Sequence, residues 1–119
     1  MRYENIQAKA DQATDLLKAL ANRNRLMILC LLIESEKSVG ELAKSLEIRE
    51  TVVSQHLALL RKDGLVRPRR DAQTIHYSLA ASEARRVIET LYEIYCAPTA
   101  NAKRPGRNAR GGSDQEGKR

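Results

Sequence analysis

The segment from Ser38 to Gly64 has few ways to fold. Ser38-Val39-Gly40-Glu41 sets Ser and Glu three residues apart, the spacing at which each satisfies an open N–H group at a helix start. It predicts a short helix over Val39 to Leu46. Glu47-Ile48-Arg49 reads as a tight turn, and a second helix follows over Glu50 to Lys62 with Val53, Leu57 and Leu60 on its inner face. Asp63-Gly64 closes it, because Gly adopts the left-handed conformation that ends a helix. Beyond Gly64 the helical period gives way to alternation. Leu65-Val66-Arg67 and Thr74 to Leu79 read as strands, with Pro68-Arg69-Arg70-Asp71-Ala72-Gln73 as the polar tip of a hairpin.

Helical patterns flank this segment on both sides. Ile6 to Leu20 places Ala13, Leu16, Leu17 and Leu20 at helical spacing. Asn22 suits the N-cap of a helix over Arg23 to Glu34, with Leu26, Leu29, Cys30 and Ile33 as its apolar stripe. Ser82 opens a last helix, Glu83 to Cys96, whose apolar face (Val87, Ile88, Leu91, Tyr92, Ile94, Tyr95) is broad enough to suggest an intersubunit contact. With no Phe and no Trp, the core must be aliphatic. The predicted fold is mainly α: a winged helix-turn-helix with a two-stranded β-hairpin wing, occupying residues 1–96 as one domain. Residues 97–119 are poor in apolar side chains and are expected to form a disordered basic tail.

Size and composition exclude several functions. A chain of 119 residues builds one modest core, and it carries no Gly-rich cofactor loop and no catalytic cluster. We therefore expect no enzyme, no catalytic residue and no cofactor. The longest apolar run, Leu26 to Ile33, is far short of the roughly 20 residues that span a bilayer. The N-terminus is polar, so a cytoplasmic, nucleoid-associated location and no membrane partner are expected. Of the net charge of +6, the last 23 residues hold +4, so the body is only mildly basic. Any case for nucleic acid must rest on where its charges sit.

The outward face of the second predicted helix carries Thr51, Ser54, Gln55, Ala58, Arg61 and Lys62. Thr51, Ser54 and Gln55 are short neutral hydrogen-bonders near the helix N-terminus, where base edges are reached, and Gln pairs with adenine in bidentate fashion. Arg49 precedes the helix within reach of phosphate or guanine, and Arg69 and Arg70 lie where a wing meets the DNA backbone or minor groove. His56 fits either a phosphate contact or packing at the helix edge. Taken singly, each of these residues also fits a solvated surface. The ordered series of capped helix, turn, helix, Gly stop and basic hairpin points to double-stranded DNA.

Leu17-Lys18-Ala19-Leu20-Ala21-Asn22, Arg25-Leu26, Ser38-Val39-Gly40-Glu41-Leu42, Val53-Ser54-Gln55-His56-Leu57 and Leu60-Arg61-Lys62-Asp63-Gly64-Leu65-Val66 resemble the ArsR family of bacterial repressors, over about residues 10–96. The resemblance implies a homodimer through the first and last helices, with Thr51, Ser54, Gln55 and His56 at the DNA. Arg49 departs from the small capping residue common at that place. The ligands of the family's metal sensors are missing. Positions 37–42 read Lys-Ser-Val-Gly-Glu-Leu, the last helix holds no His or Asp, and His56 and His76 lie in the predicted recognition helix and wing. No metal is expected, although two thiols alone can hold a soft ion such as cuprous copper.

On the residues alone, Cys30 and Cys96 fit either buried structural cysteines or a reactive pair. Leu29-Cys30 and Tyr95-Cys96 resemble the sulfide-responsive branch of the family. That resemblance implies that persulfides act as small-molecule inducers: the two thiols become bridged by a polysulfide chain or a disulfide within one protomer, and an inverted-repeat operator is released. A direct disulfide needs Cα atoms about 4.4–6.8 Å apart, whereas inserted sulfur atoms span a wider gap. The alternative expectation, also met in that branch, is an activator or anti-repressor without redox sensing, its cysteines structural.

Overall fold

The computed structural model of the chain describes residues 1–96. The predicted tail, 97–119, lies outside the described residues. The chain divides into two compact units, Met1–Arg85 and Arg86 onward.

In the first unit, α1 (Tyr3–Ala8) and α2 (Ala10–Leu20) replace the single helix expected from Ile6. The backbone leaves helical geometry at Lys9, and α1 buries no residue that would hold it in phase with α2. Leu17, one of the apolar residues read at helical spacing, is 56% exposed. α3 (Arg23–Glu34) starts as predicted. Asn22, in extended conformation, accepts a hydrogen bond from the Arg25 N–H at 3.1 Å. The Arg25 guanidinium then turns back to donate to the Ala19 carbonyl from Nε (2.9 Å) and to the Lys18 carbonyl from Nη2 (3.1 Å). One side chain thereby caps two of the terminal carbonyls of α2, Lys18 already accepting from the Ala21 N–H, and ties α2 to α3.

The side of α3 that faces the core shares only Leu29 with the predicted stripe. Ile28, Leu29 and Leu32 are buried, while Leu26, Cys30 and Ile33 are half-buried. Leu26 to Ile33 is uninterrupted apolar sequence, so composition sets no helical phase and packing chooses it.

α4 (Val39–Leu46) and α5 (Glu50–Lys62) have the predicted bounds. The Ser38 hydroxyl accepts from the Glu41 N–H at 3.2 Å, and the Ser38 N–H donates to the Glu41 carboxylate at 2.8 Å, closing the capping box. The turn between the helices passes through Glu47 in left-handed conformation (φ 58°), with the Ile48 N–H bonded back to the Ala43 carbonyl at 3.1 Å. Val53, Leu57 and Leu60 are fully buried, as expected, and Gly64 ends the segment at φ 77°.

The wing differs from expectation in length. β2 (Val66–Asp71) and β3 (Thr74–Leu79) pair antiparallel from Val66–Leu79 to Asp71–Thr74, leaving only Ala72 and Gln73 as the turn. Pro68, Arg69, Arg70 and Asp71, predicted as tip, are strand residues. Pro68 is tolerated because β2 lies at the sheet edge, where a missing N–H breaks no ladder. A short strand not foreseen in the sequence, β1 (Lys37–Ser38), pairs with β3 on its other side and makes the order β1-β3-β2.

α6 (Ser82–Tyr95) begins at the predicted Ser82, and Ala81, just before it, and Ala84 of its first turn are buried in the first unit. In the second unit the helix continues from Arg86, and the Cys96 N–H donates to the Tyr92 carbonyl at 2.7 Å. Tyr92 and Tyr95 are 62% and 72% exposed.

Candidate nucleic-acid interface and cysteines

The burial of Val53, Leu57 and Leu60 determines which side of α5 meets solvent. Thr51, Ser54, Gln55, Ala58, Arg61 and Lys62 are all exposed, the face predicted from the sequence. Leu59 joins them at 50% exposure, an apolar position that the sequence reading did not place outside. Arg49 occupies the N-cap of α5 in extended conformation and makes no side-chain cap. The helix therefore starts without a side-chain cap, with Arg49 at its N-cap and the Glu50 carboxylate in its first turn.

His56 does not share that open face. It is half-buried, and its Nδ1 is buried without a hydrogen-bond partner among the described residues. Burial, reinforced by the Arg25 charge, lowers its pKa and so favours the neutral imidazole. Of the two roles the sequence allowed, this geometry suits packing at the helix edge.

The two wing arginines part company. Arg70 is exposed and has no ion-pair partner among the described residues. Arg69 donates two charged hydrogen bonds to Glu36, from Nη2 at 2.7 Å and from Nε at 3.0 Å. Its hydrogen bonds hold the Glu36 carboxyl below the usual carboxylate range. Glu36 has no local signature in the sequence, since its partner lies 33 residues away. The Glu41 carboxyl is likewise lowered, by the Ser38 N–H that it accepts.

Cys30 is half-buried on α3 in the first unit, and Cys96 is exposed just after α6 in the second. Among the described residues, no three His, Cys, Asp or Glu side chains are grouped to hold a metal ion, and no helix is long and apolar enough to cross a membrane.

Comparison with known proteins agrees with this architecture. Residues 22–67 match the family described as bacterial regulatory protein, arsR family. The chain is 47% identical over 96 residues to the transcriptional activator HlyU of Vibrio cholerae, covering 81% of this chain and 89% of that protein. It is also 47% identical over 96 residues to the biofilm growth-associated repressor of Agrobacterium fabrum, covering 81% and 82%. Among solved structures, reduced HlyU from Vibrio cholerae superposes with a TM-score of 0.73 at 47% identity, covering 78% of this chain and 98% of that one. The transcriptional repressor BigR from Xylella fastidiosa superposes with a TM-score of 0.78 at 39% identity, covering 82% and 99%. The capped α4–α5 pair, the β2–β3 wing and these relatives together place the chain in the ArsR family of winged-helix, DNA-binding transcription regulators, which are not enzymes.

Proposed function

We propose that this chain is a homodimeric repressor that leaves an inverted-repeat operator when persulfide bridges Cys30 and Cys96. The observation that carries the DNA half is the solvent-facing surface of α5. Thr51, Ser54 and Gln55 read base edges there, while Arg49, Arg61 and Arg70 meet phosphates. Tyr92 and Tyr95, large and exposed on α6, support a dimer in which the last helix meets its counterpart. Such a dimer sets two recognition helices one DNA turn apart, and a bacterial nucleoid location follows from its DNA partner.

The thiol chemistry balances without a further oxidant. A Cys thiolate attacks the outer sulfur of a persulfide, gains that sulfur and releases the carrier thiol. The second Cys attacks the new persulfide at its inner sulfur and expels hydrogen sulfide, leaving a disulfide. If both thiols are first persulfidated, the same expulsion leaves a trisulfide. Exposed Cys96 suits the first attack, and half-buried Cys30 suits the resolving step. A bridge ties α3 to the end of α6, and changing α6 changes the spacing of the α5 pair.

The competing reading keeps both cysteines as structural thiols in a regulator that activates. It draws on Cys30 lying on an apolar helix and on the 47% identity to a protein named as an activator. Operator titrations separate the two. An organic persulfide should weaken DNA binding of the wild type at least tenfold and leave Cys30→Ser and Cys96→Ser unaffected. Equal responses in all three proteins would remove the sensor.

A further inference from the structure

We propose that Arg69 is a positioning residue for DNA recognition, and that Glu36, by holding it, keeps one wing cation out of indiscriminate phosphate attraction. The inference rests on the reading of the wing as a DNA-backbone element and assigns its two adjacent arginines different tasks.

The geometry begins with the sheet order. β3 is the middle strand, so β1 and β2 are both edges and do not touch through their backbones. Arg69 of β2 stands opposite His76 of β3, and His76 stands opposite Ser38 of β1. Glu36 immediately precedes β1. The Arg69–Glu36 pair therefore reaches over the middle strand and joins the two edges, with bonds of 2.7 and 3.0 Å. Two parallel N–H···O bonds make this the directional form of an ion pair, fixing angle as well as distance.

What the pair joins gives it a task. Glu36 lies two residues before Ser38, the N-cap of α4, and α4 braces α5. β1 supports β3 only at Tyr77 and His76. Further out, the wing is a two-stranded ribbon, the form of sheet that twists most freely. Arg69 sits on the last three-stranded rung, where that ribbon begins, and ties its base to the start of the helix-turn-helix. Lys37, the other cation beside Glu36 in sequence, bonds instead to the Ser35 hydroxyl at 2.7 Å. Strand alternation sets Arg67, Arg69 and Asp71 on one face of β2 and Arg70 on the other. Arg69 must break two charged bonds to reach a phosphate, whereas Arg70 breaks none among those of the described residues.

The test uses the full-length chain on two probes. One is an inverted-repeat duplex selected from a random pool by this protein, and the other is a scrambled duplex. Affinity is measured against salt for the wild type, Arg70→Gln, Arg69→Gln, Glu36→Gln and the charge swap Glu36→Arg with Arg69→Glu. Arg70→Gln should flatten the log–log salt slope by about 0.9, the loss of one phosphate contact. Arg69→Gln should leave the slope unchanged while weakening the selected duplex severalfold more than the scrambled one. Glu36→Gln should strengthen scrambled binding and steepen its slope by about 0.9. The charge swap should return selected-duplex affinity to near wild type. A flattened slope in Arg69→Gln matching that of Arg70→Gln, or a swap that restores nothing, overturns the proposal while leaving the wing at the DNA. Unchanged slopes in both single arginine variants overturn the wing reading itself.

Discussion

α5 and the wing, the two elements proposed to meet DNA, are held by different forces. α5 is fixed from beneath by Val53, Leu57 and Leu60, all fully buried, and its brace α4 is closed by a capping box. Burial of this kind is insensitive to salt and tolerates no loss of volume. The wing has only Val66 buried in β2, and its outer half depends on backbone pairing and on one ion pair with Glu36. Exposed ion pairs contribute little to stability, about 0–1 kcal/mol. The contrast teaches that α5, proposed to read bases, is held rigidly, while the wing, proposed to meet the DNA backbone, is aimed by charge and can respond to salt.

The sharpest way to break the comparison is to hollow out the support of α5. Leu57→Ala removes a fully buried side chain and should cost about 3 kcal/mol in denaturant unfolding, with DNA binding lost in proportion to folding. A cost below about 1 kcal/mol, the size expected of a surface ion pair, would erase the distinction between the regions.

A smaller effect comes from the wing turn. Ala72 sits at φ 57°, a conformation that disfavours a side chain bearing Cβ. Ala72→Gly should raise stability by roughly 0.5–1 kcal/mol in the same assay. A loss would mean that the turn is not what limits the wing.

The smallest effect is a pH dependence at the edge of α5. Burial lowers the pKa of His56 in the folded chain, so the unfolded chain binds the proton more readily. Stability from this residue is complete above about pH 6.5 and falls as the pH drops through the lowered folded value. Thermal unfolding at about pH 7.5 and about pH 5.5 should show a larger decline for the wild type than for His56→Gln. Equal declines would mean that His56 is as open as Gln55.

What could be read in the sequence follows the range of the forces involved. The bounds of α4 and α5 are set by Ser38, Glu41 and Gly64, residues that act on their immediate neighbours, so they were legible to the residue. The N-cap at Asn22 was legible for the same reason. The phase of α3 was not, because an unbroken apolar run presents no face. Pro68 to Asp71 has the chemistry of a turn, and only pairing with β3 makes it strand. The Arg69–Glu36 bond joins residues 33 apart and left no local trace. In the candidate DNA interface, the outward residues of α5 were visible through their period. The half-burial of His56 was left open between two roles, since it is set by tertiary packing that brings Arg25 of another helix near the imidazole.

Peptide mass mapping of the full-length chain after persulfide treatment, run beside an operator titration of the same sample, tests the sensing account most directly. The account predicts a cross-linked species in which the peptides holding Cys30 and Cys96 of one protomer are joined through two or more sulfur atoms, rising in step with the loss of DNA binding. Release of DNA with both thiols unchanged, or a bridge that forms while the operator stays bound, would contradict it.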